Sequence, residues 1–207
     1  MKKLLCVLMA TVFAVAGLAG CSKSDVKETE TESAPTGSNV RVTMQDGGSF
    51  VIELYEQYAP ETCKNFLKLV DEGFYDGLTF HRVIDGFMAQ GGSSDGKGIK
   101  GSDETIKGEF SANGFTQNTL SHTRGVVSMA RATGYDSASS QFFICYDDCS
   151  FLDGDYAAFG KVIEGMDVVN KIAECRTDYS DRPVEVQRIR SMSAETFGET
   201  YPEPETM

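Results

Sequence analysis

Between residues 39 and 192 the chain is cut into short apolar runs by glycine-centred turns, and only two stretches carry a helical period. That pattern restricts the fold more than any other feature. Asn39 to Met44 and Ser49 to Tyr55 are β-type runs around Gln45-Asp46-Gly47-Gly48, and Asp-Gly between such runs signals a hairpin. Further short strands are expected near 80–84, 87–91, 126–130, 141–145, 157–163 and 184–192. Pro60-Glu61-Thr62 opens the first helix, with Cys63, Phe66, Leu67 and Val70 on one stripe and Gly73 as its stop. Proline suits a first helical turn, glutamate suits the positive end of the dipole, and glycine suits the exit. Met166, Val169 and Ile172 give a second one-sided helix over 165–173. Many short strands and few helices read as an all-β barrel or sandwich, with two helices covering its open parts. The 41% hydrophobic content suffices for a real core.

The first twenty residues read as an export signal rather than as part of the fold. Lys2 and Lys3 precede an apolar run from Leu4 to Leu18, shorter than the roughly 20 residues that span a bilayer. The run ends Leu18-Ala19-Gly20-Cys21, which resembles a bacterial lipobox. That resemblance implies cleavage before Cys21, thioether linkage of Cys21 to diacylglycerol, and attachment to the extracytoplasmic side of a cell membrane. Residues 21–38 then form a flexible acidic linker, because they hold too little apolar surface to offset chain entropy. Residues 39–195 form the folded domain, and 196–207 are expected to be a loose acidic tail.

The net charge of −12 becomes −14 once a leader carrying two lysines and no acids is removed. A chain so acidic lacks the basic face that nucleic acid requires. Cys63, Cys145, Cys149 and Cys175 remain in the domain, and sequence does not choose among their pairings. With only His81 and His122 present and no zinc-type spacing, no metal or other cofactor is expected. The stretch Gly91 to Lys97 fits GxxxxGK, but Gly98 stands where a magnesium-binding Ser or Thr belongs and no helical pattern follows. A surface loop is the better reading. No GxSxG elbow supports a hydrolase.

The stretch FHRVIDGFMAQGG at 80–92 sets Arg82 among Phe80, Val83, Ile84, Phe87 and Met88. A guanidinium does not release its proton, and burying it unpaired is costly. It is therefore either a surface charge on a half-exposed strand or a fixed donor lining an apolar cleft. Together with GVVSMA at 125–130, SQFFIC at 140–145 and FLDGDYAAFGKVIEGMDVV at 151–169, this stretch resembles the cyclophilin family of peptidyl-prolyl isomerases. YEQYAPETCKNF at 55–66 adds a weaker fifth segment. The resemblance implies a mainly β fold, a closed eight-stranded antiparallel barrel capped by two α-helices. It implies a peptide groove on the outer wall, proline-containing polypeptides as substrates and a monomer.

Carried over by position, the resemblance makes Arg82, Gln90 and Phe87 the catalytic candidates. Met88, Ala130, Arg131, Gln141, Phe143, Phe151, Leu152 and Tyr156 become the substrate-binding candidates. Strand alternation agrees, because Gln141 and Phe143 share one face while Phe142 and Ile144 take the other. Three positions depart from well-known members. Phe151 replaces a common Trp, so tight cyclosporin binding is not carried over. Tyr156 replaces a common His, and Arg131 replaces a common Asn and adds positive charge to the rim. The reaction expected is rotation about X–Pro bonds in exported or cell-surface proteins. The competing reading is a binding module that keeps the groove to hold partners. His81 and His122 are read as structural.

Overall fold

The structure is a computed structural model and describes residues 37–207. The signal segment, Cys21 and the linker up to residue 36 lie outside the described residues. The strands are β1 (Asn39–Met44), β2 (Ser49–Leu54), β3 (Thr79–Phe80), β4 (Arg82–Ile84), β5 (Met88–Gly91), β6 (Val126–Met129), β7 (Phe142–Cys145), β8 (Ala158–Glu164) and β9 (Gln187–Glu195), with helices α1 (Pro60–Asp71) and α2 (Met166–Ala173). They form one nine-stranded antiparallel sheet in the order β3-β9-β1-β2-β8-β6-β7-β5-β4. The two ends of that order, β3 and β4, are consecutive in the chain and separated only by His81. The sheet therefore curls into a nearly closed barrel, stitched by the chain itself. The His81 N–H donates to the Gln90 carbonyl on β5 at 3.0 Å, which ties the link between β3 and β4 to the sheet.

The expected eight strands become nine because the run at 80–84 is split at His81, each half pairing with a different neighbour. The last strand runs 187–195 rather than 184–192. Thr177 bridges Pro183 in a loop that leaves Val184 and Val186 exposed, while the strand continues until Glu195 faces Asn39. The first hairpin turns as its sequence requires. The Gly48 N–H donates to Asp46 Oδ1 at 3.0 Å, and Gly47 takes φ +93°.

Helix α1 starts with Pro60 and buries Cys63, Phe66, Leu67 and Val70. Its free N-terminal donors are met by a distant side chain, Glu109. That carboxylate accepts from Glu61 N–H at 3.0 Å, Thr62 N–H at 2.8 Å and the Thr62 hydroxyl at 2.6 Å. Inside the barrel Phe66 meets Tyr75, Phe142 and Phe159 at centroid separations of 5.1, 5.5 and 5.0 Å. A second, smaller cluster of Met88, Phe143, Cys145 and Cys149 sits on the outer wall.

Two boundaries differ from expectation. Ser38 belongs to the domain, since it is buried and its hydroxyl lies 2.6 Å from the Tyr201 phenol. The acidic tail is not loose. Tyr201 also donates to Glu56 at 2.7 Å, the Glu205 N–H donates to Glu61 at 2.8 Å, and Thr206 bridges Ile106. Aromatic and backbone partners hold it despite its charge. Among the described residues no helix is long and apolar enough to cross a membrane.

Candidate active site

Strand register assembles the site. Arg82 on β4 lies opposite Gln90 on β5, Gln90 lies opposite Phe143 on β7, and Phe143 lies opposite Ser128 on β6. Directly opposed residues share a face, and so do residues two apart along one strand. Met88 therefore joins this row from below and Gln141 from above. Phe142 and Ile144 point the other way and are fully buried in the barrel core.

The row forms one wall of a slot of about 150 Å³ lined by Arg82, Phe87, Met88, Gln90, Ala130, Arg131, Phe143, Leu152 and Tyr156. Larger hollows of about 380 Å³ beside His81 and about 470 Å³ beside Lys68 contain no residue of the row, so size alone does not pick the site. Met88 and Phe143 are 2% and 5% exposed and form the floor. The opposite lip comes from the turn at Ser150–Leu152 and from Tyr156, whose ring meets Phe143 edge-on at 5.9 Å.

Nine of the eleven sequence candidates line this slot, and two do not. Gln141 opens onto an adjoining hollow of about 190 Å³, where its amide oxygen accepts from Gln90 Nε2 at 3.0 Å. Its own Nε2 reaches the Gly98 carbonyl at 3.3 Å. Phe151 is 69% exposed and leans on the outer side of Phe87, with centroids 5.4 Å apart. It buttresses the lip from outside because the short turn faces Leu152, not Phe151, inward.

The guanidinium of Arg82 is half exposed, and its Nε stands 3.6 Å from the Asp181 carboxylate. Asp181 has φ +61°, a conformation costly for most residues, and its carbonyl accepts from Val83 N–H at 2.8 Å. The same loop residue thus fixes the strand behind Arg82 and faces its side chain. Sequence reasoning missed Asp181, which lies far along the chain in a loop without a motif. Gln90 bonds Gln141 rather than Arg82.

His122 was expected to be structural, and its contacts place it just behind the site. Its ring stacks on Phe143 at 6.1 Å, with one nitrogen 2.8 Å from Asp153 and the other 2.9 Å from Ser128. Burial pushes its pKa below the ordinary imidazole value, with Asp153 opposing. Asp153 lies in the FLDG segment, and nothing in the sequence marks it as the partner of His122. His81 is also buried and lowered by burial.

The segment 91–101 folds around Asp95. That carboxylate accepts from Ser93 at 2.6 Å and from Lys97 N–H at 2.9 Å, and these bonds hold its pKa down to about 2. It is a self-bonded surface loop. Cys63, Cys145, Cys149 and Cys175 are all free, and burial raises the pKa of each thiol. Among the described residues no cluster of three ligand-type side chains could hold a metal.

This arrangement offers an apolar slot for a ring, a cationic donor at its mouth and neutral amides along its edge. Among the described residues that line it there is no nucleophile–base pair. Such a site suits a change of conformation in a bound peptide.

Comparison with known proteins agrees. The sequence model of the family described as cyclophilin type peptidyl-prolyl cis-trans isomerase/CLD matches residues 39–194. A peptidyl-prolyl cis-trans isomerase of Schizosaccharomyces pombe is 44% identical over 143 residues, covering 69% of this chain and 90% of that protein. Peptidyl-prolyl cis-trans isomerase B of Bacillus subtilis is 45% identical over 130 residues, covering 63% and 87%. The crystal structure of a Cryptosporidium parvum cyclophilin-type isomerase, determined in the presence of the dipeptide Ala-Pro, superposes with a TM-score of 0.69 at 32% identity. It covers 76% of this chain and 99% of that one. Barrel, slot and kinship agree, and the chain belongs to the cyclophilin-type peptidyl-prolyl cis-trans isomerases.

Proposed function

We propose that this isomerase accelerates X–Pro rotation in exported or cell-surface polypeptides, with Arg82 as the donor to the turning bond and lipid on Cys21 as the membrane anchor. The observation that carries the catalytic part is the placement of Arg82 at the mouth of a slot floored by Met88 and Phe143.

The uncatalysed barrier is about 18–20 kcal/mol, and it arises because the imide nitrogen lone pair is delocalised into the carbonyl. In the twisted transition state that lone pair is localised and accepts a hydrogen bond. A donor fixed there stabilises the twisted form more than either planar form, which is what catalysis requires. A charge-assisted hydrogen bond contributes about 1.5–3 kcal/mol, whereas a 10⁵-fold acceleration needs roughly 7 kcal/mol. The walls supply the remainder. Phe87, Met88, Phe143 and Leu152 hold the pyrrolidine ring while the preceding carbonyl swings. Water exclusion also disfavours the more polar planar amide. The Gln90–Gln141 pair steadies the moving carbonyl, and Ala130 keeps the edge low enough for a peptide backbone to pass.

The anchor rests on the sequence alone. A short apolar run ends Leu18-Ala19-Gly20-Cys21, and an acidic linker separates it from the domain. On this reading residues 1–20 are removed and residues 21–38 tether the enzyme outside the cell membrane.

Two experiments test the proposal. In a proline-peptide isomerisation assay, Arg82→Ala should lower kcat/KM by about 10- to 100-fold while leaving the melting temperature near that of the wild type. Unchanged turnover would remove Arg82 from the mechanism. In fractionated cells, Cys21→Ser should move the protein out of the membrane fraction and abolish labelling by a radioactive fatty acid. Retention of both in the variant would refute the anchor.

A further inference from the structure

The slot and the hollow beside it share Gln90, Ala130 and Arg131. Neither is lined by any Asp or Glu, although the chain carries a net charge of −12. Two guanidiniums line the slot. Arg82 faces the Asp181 carboxylate, while Arg131 has no ion-pair partner among the described residues.

Arg131 is also unusually constrained for a rim side chain. Its Nε donates to the Asp155 carbonyl at 3.0 Å and one terminal nitrogen donates to the Ala132 carbonyl at 3.0 Å. Its guanidinium carbon sits 4.7 Å from the Tyr156 ring centre, 5.1 Å from Tyr135 and 5.2 Å from Phe110. Asp136, the acid nearest along the chain, accepts instead from the Gly108 N–H and the Asn113 amide, Asp155 contributes only its carbonyl, and neither lines either hollow. The second terminal nitrogen makes no hydrogen bond among the described residues. A planar fork held by aromatic faces loses little freedom on meeting a ligand, and its natural complement is a carboxylate.

We propose that Arg131 makes this isomerase select X–Pro segments that carry an acidic side chain within two residues of the proline. The inference rests on the slot being where the proline ring lies. With the ring there, a neighbouring side chain enters the adjoining hollow and passes the free edge of Arg131. A carboxylate gains a charge-assisted bond, a neutral amide gains less, and an ammonium is repelled.

The test is a series of short proline peptides differing only in Glu, Gln or Lys at each position within two residues of the proline. Cis–trans exchange is followed by NMR at low and high salt. Wild-type kcat/KM should be about threefold to tenfold higher for Glu than for Gln at one or more positions, and lower for Lys than for Gln. The contrast should shrink at high salt, a reading that needs no variant. It should vanish in Arg131→Met and persist in part in Arg131→Lys. Equal rates for Glu and Gln at every position, or a contrast that survives Arg131→Met, would overturn the inference. Phe143→Ala, in the floor of the slot, separates this from the placement of the slot: an unchanged KM for proline peptides there refutes the slot, whatever the Glu-to-Gln ratio.

Discussion

For Arg82 to act as proposed at the mouth of the slot, its freedom to swing into water must be opposed. The Asp181 carboxylate 3.6 Å from Nε does this, from a loop whose own carbonyl is bound by Val83. Both side chains are half exposed, so the pair adds little to stability, of the order of 0–1 kcal/mol. Its effect should appear in turnover. Asp181→Asn tolerates the left-handed backbone and keeps the carbonyl, yet loses the charge. It is expected to lower kcat severalfold with KM and melting temperature nearly unchanged, as steady-state kinetics and thermal unfolding would show. Arg82→Lys should recover little of the Arg82→Ala loss, because an ammonium has no planar fork to share between carboxylate and substrate. The two histidines matter differently. Both have folded-state pKa values lowered by burial, so the unfolded chain binds more protons at and below the ordinary value of about 6.5. Stability should be level above that pH and fall as the pH drops through it, by at most about 1.4 kcal/mol per pH unit per histidine. Urea midpoints at neutral and mildly acidic pH would show the drop, and His122→Gln should lessen it.

Strand β7 shows how one element serves two purposes. Phe142 is buried between Phe66, Tyr75 and Phe80, while Phe143 faces the slot beside Met88. Phe142→Ala should cost about 3–5 kcal/mol of stability, seen as a lower denaturant midpoint, with activity retained in whatever folds. Phe143→Ala should cost less stability than Phe142→Ala and should raise KM for proline peptides. Equal effects of the two on unfolding and kinetics would contradict the assignment of faces. These two faces were legible in the sequence, because the period of a strand is fixed by its backbone. The direction of the turn at Ser150–Leu152 was not. A single irregular turn has no period, and Phe151 and Leu152 are both apolar, so only packing decides which one enters the slot. Helix α1 divides in the same way. Its start at Pro60 and its buried stripe follow from residue type, but its cap comes from Glu109, 47 residues beyond Thr62.

The described domain is built on a sheet whose two ends are neighbouring segments of one chain. Closing it requires β9 to pair with both β1 and β3, and the C-terminal tail then lies across the start of the domain. Tyr201 joins Ser38 to Glu56, and Lys68 approaches Glu203 at 3.0 Å. Removing residues 196–207 should therefore lower the melting temperature by several degrees, because Ser38 and Glu56 lose the phenol that bridges them. A truncated protein with unchanged unfolding would show the tail to be idle. A reading from composition favours a loose tail, since three of its twelve residues are Glu and two are Pro, and it cannot see a single tyrosine finding two partners. By itself the sequence determined the strand and helix periods, the hairpin turns and a set of residue types fit for turning a proline bond, because these depend on local stereochemistry and side-chain chemistry. Only the tertiary structure decided that His81 splits a strand to close the barrel, that Asp181 faces Arg82, and that Arg131 is clamped between aromatic rings. Each of these joins groups distant in the chain, and their meeting depends on how the whole sheet curls.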